Sequence, residues 1–209
     1  SDMAQGDYNL IVKDIMFGTE KAILQQLADA DCRFVYADKK QDQTISFDAL
    51  PTKIYGDASL SLPLATDQGL PITYTSNDSS VATIHENVLT IVGAGSAEIT
   101  ATQDGNDEVK AATPVTRTLV VDKATLEIVA NDVKRRVDAV ESPELTMSFK
   151  GFVLDDTEED LDELPQIACD VDASSPVGVY PIRLSGGRDD NYDYVLTDGT
   201  YTIVSKQMQ

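Results

Sequence analysis

The chain has 209 residues, a formal net charge of −20 and 42% hydrophobic residues. That hydrophobic content excludes a wholly disordered chain, and the length suffices for one large or two small domains. A charge this negative repels phosphate groups, so we expect neither nucleic acid nor an anionic membrane as a partner. No run approaches the roughly 18 apolar residues that a membrane-spanning helix needs, so no membrane insertion is expected.

Residues 1–40 differ in pattern from the rest of the chain. The stretches YNLIV at 8–12 and CRFVY at 32–36 are typical of strands. Between them, four apolar residues recur at helical spacing, namely Ala22, Ile23, Leu27 and Ala30. These patterns predict a short α/β segment, which is either a separate segment or part of a preceding domain.

From residue 41 onward, short apolar stretches alternate with turns rich in Gly, Asn and Asp. Within each stretch, Val, Ile, Thr and Tyr recur at every second position. The predicted strands cover residues 71–75, 81–84, 88–92, 97–102, 115–121, 124–130, 177–184 and 201–204. Short strands at intervals of about 8–12 residues indicate an all-β fold, an antiparallel β-sandwich or barrel.

An internal repeat suggests two copies of this pattern. A shift of 81 positions aligns 43–47 with 124–128, Lys53 with Lys134, Asp57 with Asp138, and 95–101 with 176–182. We therefore predict tandem modules at 41–122 and 123–209. Because one predicted strand runs almost directly into the next at 120–126, the two modules should form a stiff pair.

The stretch VLTIVGAGSAEITA at 88–101 raises the question of a phosphate-binding turn, since a G-x-G after a strand begins a dinucleotide-binding motif. That motif needs a third small residue where Glu98 stands, and a helix after the turn. Here β-branched residues alternate after the turn, and a carboxylate at position 98 would repel a pyrophosphate. The sequence predicts a hairpin turn between two strands instead.

Two acidic clusters are candidate metal sites. The run at 155–163 has seven carboxylates in nine residues, and a second cluster surrounds residue 189. Calcium prefers clustered oxygen ligands, and the candidate ligands are Asp155, Asp156, Glu158, Asp189 and Asp190. The regular calcium-loop spacing is absent, however, and acidic runs are usually solvated. The sequence therefore predicts no resident cofactor, with calcium as the alternative.

Other candidate residues favour no catalytic site. His85 is the one histidine in the chain and is expected at the surface near a turn. Cys32 and Cys169 are too few for a disulfide framework and are expected to be free, buried thiols. Tyr192 and Tyr194 share one face of a predicted strand, so they are either core residues or a platform for sugar rings.

Several stretches in order, DKATLEIVANDVKR, SPELTMSFKGFVLDDT, SSPVGVYPIRLSGG and NYDYVLTDGTYTIV, resemble the mostly-bacterial Ig-like (MBG) domain family over residues 123–206. Residues 41–122 resemble related bacterial Ig-like repeats. The sequence departs from the family pattern at Arg136-Val137, where a Tyr-Gly pair is usual, and at Val109, where an aromatic residue is usual. The resemblance implies β-sandwich modules of bacterial surface or secreted proteins, without catalytic residues.

Together, the pattern and the resemblance predict non-catalytic structural or adhesion modules, extracellular or at the cell surface. The expected partners are neighbouring modules of the same chain and a protein or glycan on a cell surface. The alternative is an accessory carbohydrate-binding module of a surface polysaccharide-degrading system. A glycosidase would need two carboxylates facing each other across a cleft, which narrow sandwiches do not favour.

Overall fold

The computed structural model describes residues 40–206, which form fourteen strands and one 3₁₀ helix. The strands are β1 (Lys53–Ile54), β2 (Leu60–Ser61), β3 (Thr73–Ser76), β4 (Ala82–His85), β5 (Val88–Ile91), β6 (Gly95–Thr102), β7 (Val115–Asp122), β8 (Ala124–Ala130), β9 (Val133–Arg136), β10 (Met147–Lys150), β11 (Gln166–Cys169), β12 (Gly178–Ser185), β13 (Tyr192–Thr197) and β14 (Gly199–Val204). The 3₁₀ helix covers Glu158–Asp160. The all-β prediction is confirmed, while the predicted α/β segment at 1–40 lies almost entirely outside the described residues.

Strands β1–β7 form two sheets, which we call the N-terminal strand group (residues 40–122). A four-stranded sheet has the order β1-β7-β6-β3, and a three-stranded sheet has the order β2-β5-β4. Alternation directs Ala97, Ile99 and Ala101 of β6 inward, where each is almost fully buried. Leu119 and Val121 of β7 are buried in the same way, so these two strands supply much of the core.

Strands β8–β14 form the C-terminal strand group (residues 124–204). Its sheets have the orders β10-β8-β13 and β11-β12-β14-β9. The alternation predicted from the sequence places Leu126 and Ile128 of β8 in the core, opposite Ile182 of β12 and Ile203 of β14. All four side chains are almost completely buried, and the residues between them on each strand face outward.

The eight predicted strands are confirmed, with ends that move by at most two residues in most cases. Strand β13 corresponds to the strand predicted to carry Tyr192 and Tyr194. The sequence missed five short strands, β1, β2, β9, β10 and β11. Each has only two to four residues, and β9 reads Val-Lys-Arg-Arg, which has no apolar alternation. These strands exist because a neighbouring strand offers hydrogen bonds, which a local pattern does not show.

The predicted hairpin at Gly93 and Gly95 is wrong. Strand β5 belongs to one sheet and β6 to the other, so the turn carries the chain between sheets. The turn lies close to the backbone that precedes β4, because the N–H groups of Val92 and Gly93 donate to the Val81 carbonyl. A Cβ atom at position 93 would lie 2.6 Å from the Ser80 carbonyl oxygen, so only glycine fits.

The four-stranded sheets of the two strand groups have a corresponding strand order, whereas the three-stranded sheets differ, because β8 pairs parallel with β13 while β2, β5 and β4 are antiparallel. In each four-stranded sheet, an edge strand pairs parallel with the last strand, β1 with β7 and β9 with β14. The 81-residue shift matches the buried positions of 43–47 with those of 124–128. Further along, the buried positions no longer match at a shift of 81. Tyr55 is buried, whereas its counterpart Arg136 is exposed and the residue before it, Arg135, is buried. The division into tandem modules stays a prediction, which the corresponding four-stranded sheets support.

Candidate functional site

The most developed constellation of polar and aromatic side chains lies where the two strand groups meet. We call this surface the junction. Strand β7 ends at Asp122 and β8 begins at Ala124, so Lys123 alone connects the two strands. The Lys123 ammonium donates to the backbone carbonyl of Asp189 at 2.6 Å. The chain therefore passes from one group to the other without a flexible linker.

An aromatic cluster fills the centre of the junction. Tyr192 of β13 is only 3% exposed. Its ring meets those of Tyr55 and Phe152 edge to face, with centroid distances of 5.5 Å and 5.8 Å. Such arrangements are favourable for aromatic pairs beyond the burial of apolar area. Because Tyr55 follows β1, the cluster joins the N-terminal group to the C-terminal group.

The Asp156 carboxylate ties the two tyrosines together. The Tyr192 hydroxyl donates to Asp156 Oδ2 at 2.6 Å, and the Tyr55 hydroxyl donates to the same oxygen at 3.0 Å. The backbone N–H of Val153 donates to the Tyr192 hydroxyl at 3.0 Å. Hydrogen bonds to an ionised acceptor are stronger than neutral ones. This single carboxylate therefore connects the two strand groups by hydrogen bonds.

A glycine allows this close approach. Gly56 has φ of +91°, a conformation that other residues rarely adopt. A Cβ atom at this position would lie 2.6 Å from Cβ and Cγ2 of Val153. The turn after β1 therefore contacts the 150–157 loop directly, and Tyr55 and Gly56 act as a pair at the junction.

The Gly93 turn is a second point of contact. The backbone N–H of Ala94 donates to Asn191 Oδ1 at 2.8 Å. Asn191 precedes β13, and its own backbone carbonyl accepts from the Ala124 N–H at 2.9 Å. The Gly93 turn, which resembles the start of a phosphate-binding motif in sequence, thus donates a hydrogen bond to the Asn191 side chain of the neighbouring strand group.

The acidic residues near the junction mostly bind backbone N–H groups. Asp189 is 6% exposed, and its Oδ1 accepts from the N–H groups of Asn191 and Tyr192 at 2.7 Å and 2.9 Å. Its Oδ2 accepts from the Asp162 N–H at 3.0 Å. In return, Asp162 Oδ2 accepts from the Asp190 N–H at 2.8 Å. These carboxylates connect the 162 and 189 loops by hydrogen bonds.

The calcium candidates are therefore dispersed among different roles. Asp156 binds tyrosine hydroxyls, Asp189 binds backbone N–H groups, and the other three, Asp155, Glu158 and Asp190, are exposed. Over residues 40–206, no three His, Cys, Asp or Glu side chains are grouped so that they could hold a metal ion. Calcium binding stays a prediction.

The glycan candidates Tyr192 and Tyr194 lie on the inward side of β13. Tyr192 is enclosed by the junction, as described above. Tyr194 is half-buried, and its hydroxyl lies 3.2 Å from the backbone carbonyls of Glu163 and Arg188. Both rings have protein partners, which corresponds to the core alternative of the sequence analysis, and sugar binding stays a prediction.

None of the contacts described above involves the remaining candidates. His85 is exposed beside the turn that connects β4 and β5, as the sequence predicts. Cys169 is free and half-buried, whereas Cys32 lies outside the described residues. A groove of about 460 Å³ separates 47–51 from 60–63, with Asp48 as its one titratable lining residue. It offers no pair of facing carboxylates.

The junction tyrosines have raised pKa values. Burial, followed by the hydrogen bond to Asp156 and its negative charge, raises the pKa of Tyr55 to about 12. The same causes raise the pKa of Tyr192 still further. A buried phenol beside a carboxylate resists ionisation because the phenolate would be poorly solvated and would repel the nearby charge.

We expect alkaline pH to loosen the junction. In the unfolded chain a tyrosine ionises near pH 10, so the contribution of Tyr55 is fully present below that pH. It is lost as pH rises from 10 through about 12, where the folded form also ionises. The free energy of unfolding, measured by urea titration between pH 8 and 12, should fall less steeply in Tyr55→Phe. Equal pH dependence in the unaltered protein and in Tyr55→Phe would contradict a raised pKa of Tyr55.

One family model matches part of the chain. Residues 126–202 match the family model described as MBG domain (YGX type). This segment is similar to the MBG domain family. It extends from β8 into β14, so the family predicted from the sequence is confirmed for nearly all of the C-terminal strand group. The Tyr55-Gly56 pair lies outside the matched residues of the MBG domain, in the N-terminal strand group.

Comparison with other proteins adds little to this assignment. The crystal structure of Drosophila N-cadherin EC1-4 is similar to this chain at 11% identity, with a TM-score of 0.25, over 78% of this chain and 48% of that one. The chain thus spans about half the length of that structure. No protein with a curated description matches the chain. Within residues 40–206, none of the structure is a helix long and apolar enough to cross a bilayer.

Proposed function

We propose that residues 40–206 form a rigid, non-catalytic spacer that presents adhesive surfaces in a larger bacterial cell-surface or secreted protein. The observation that carries this proposal is the junction, where three separate contacts, at Tyr55, Ala94 and Lys123, connect the strand groups. Neighbouring domains usually move relative to each other unless such contacts restrain them. The MBG domain supports the surface context through the family resemblance.

The partners that we propose are neighbouring modules and a protein or glycan on a cell surface. Outward-facing residues of the strands and the loops between them are the surfaces available for such contacts. The accessory carbohydrate-binding alternative is not favoured by a specific contact, because its candidate tyrosines have protein partners.

The rigidity of the junction can be tested by distance measurement. Nitroxide labels on cysteines at Thr83 and Val195, both exposed, report on the separation of the two strand groups in a Cys32→Ser, Cys169→Ser background. Pulsed electron paramagnetic resonance on the full chain should give one narrow distance distribution. In Asp156→Ala the distribution should broaden, because both tyrosine hydroxyls lose the carboxylate oxygen that they share.

A matched control uses another carboxylate of the same acidic run. Glu158 is exposed, so Glu158→Ala changes the charge equally without removing a contact to either tyrosine. Its distance distribution should remain as narrow as that of the unaltered junction. A broad distribution before any change at Asp156 would contradict a rigid spacer.

A further inference from the structure

The strands that carry tension through the chain are paired in parallel. A spacer under tension is pulled at the beginning of its first strand and at the end of its last strand. When two parallel strands are pulled in opposite directions, they must slide past each other, and all their hydrogen bonds are loaded at once. An antiparallel pair pulled at one end opens bond by bond. The direction of pairing therefore decides how much force a group resists.

In the C-terminal strand group this parallel pairing is extensive. The first strand, β8, pairs parallel with β13 over six residues, from Tyr192 opposite Ala124 to Thr197 opposite Val129. The last strand, β14, pairs parallel with β9 over four residues, and the Val137 N–H extends this pairing by donating to the Val204 carbonyl at 2.9 Å. Tension on the chain loads both pairs in the sliding direction.

In the N-terminal strand group the equivalent pairing is short. Strand β1 pairs parallel with β7 over two residues, Lys53 and Ile54, and the Tyr55 N–H extends this pairing by donating to the Asp122 carbonyl at 2.8 Å. A single parallel bridge joins Gln41 to Val109, and within the described residues 42–52 no strand is formed. The parallel pairing that resists sliding is therefore shorter in this group, with two residue pairs in β1 and β7 against six and four in the two pairs of the C-terminal group.

We propose that the chain bears mechanical load, with the N-terminal strand group yielding first and the C-terminal group holding. The inference rests on the proposed function as a spacer, since a spacer transmits tension between its ends. The N-terminal group would lengthen under load while the MBG domain keeps its fold and its outward surfaces. Forced unfolding follows the rate of unfolding rather than equilibrium stability, so the order can differ from the order of thermal melting.

Single-molecule pulling of the full chain between its termini tests the order. Both groups have nearly equal length, so a disulfide identifies the N-terminal group. The Thr100 and Thr116 hydroxyls lie 2.9 Å apart on β6 and β7, and a Thr100→Cys, Thr116→Cys pair can be oxidised there. In a background without Cys32 and Cys169, oxidation shortens the extension of that group, because the closed loop cannot lengthen at about 3.6 Å per residue. The shortened event should come at the lower force.

Two proline variants separate sliding resistance from general stability. Val137→Pro removes the backbone donor that extends the β9 and β14 pair, whereas Glu163→Pro removes the Glu163 N–H bond to the Arg188 carbonyl elsewhere in the same group. Val137→Pro should lower the unfolding force of the C-terminal group, and Glu163→Pro should leave it almost unchanged. An N-terminal group that unfolds at a higher force than the C-terminal group would overturn the inference. Equal effects of the two prolines on the unfolding force of the C-terminal group would overturn it as well.

The outcome is independent of the rigidity test. A flexible junction in the labelling experiment would refute the rigid spacer, yet the order of forced unfolding would still be measurable. A rigid junction with the reverse order of unfolding would refute only the unequal load bearing.

Discussion

Tyr192→Ala is expected to lower the free energy of unfolding by about 3–5 kcal/mol, the cost of removing a buried aromatic ring. The ring is 3% exposed and meets both Tyr55 and Phe152 edge to face. Its removal also leaves the Val153 N–H without its acceptor and takes one of two hydroxyl donors from Asp156. Urea titration followed by circular dichroism would measure the change.

A suitable control is Tyr180→Ala in the same strand group. Tyr180 is half-buried on β12, and its hydroxyl donates to the nearby Pro176 carbonyl. Its removal should cost about 1 kcal/mol, as is usual for a substitution that opens no large cavity. If the two variants lost equal stability, Tyr192 would not have the central place in the junction that its contacts indicate.

The result also bears on the sugar-binding alternative. Loss of glycan binding in Tyr192→Ala would not identify a sugar contact, because the junction itself would be disrupted. Tyr194→Phe is a better probe, since it removes one hydroxyl and keeps the half-buried ring in place.

Gly56→Ala is expected to lower the free energy of unfolding by about 2–4 kcal/mol, from backbone strain and overpacking together. The alanine would have to keep φ of +91°, and its Cβ would lie 2.6 Å from Cβ and Cγ2 of Val153. Because Val153 belongs to the other strand group, relief requires the groups to separate. The same urea titration should therefore become broader or show two steps, as the groups begin to unfold separately.

Gly69→Ala separates the two causes. Gly69 also has a positive φ, +75°, but no atom lies within 4 Å of the position of its Cβ. In this variant the free energy of unfolding should fall by about 1 kcal/mol from strain alone, and the urea titration should keep a single transition. Equal losses in both variants would show that the approach of Gly56 to Val153 contributes nothing.

Several features of the fold could be predicted from local sequence alone. Strand β8 reads Ala-Thr-Leu-Glu-Ile-Val-Ala, and its alternate residues are buried as that period requires. The exclusion of a phosphate-binding turn at Gly93 also held, because Glu98 and the β-branched residues after it belong to a strand. The local pattern at Gly93 nevertheless predicts a hairpin, which is wrong, since nothing local shows that β5 and β6 enter different sheets.

Side-chain alternation and ordered motifs are local properties, so the all-β class, most of the long strands and the resemblance to the MBG family follow from the order of the residues. The junction depends on contacts that form only in the folded chain. Tyr55 and Asp156 are separated by 101 positions, and Tyr192 and Asp156 by 36, so no spacing rule links them. The acidic run looked uniform as a sequence. Asp156 differs from the rest of the run because a hydroxyl that loses its water needs an acceptor, and its Oδ2 lies within hydrogen-bond distance of both tyrosine hydroxyls.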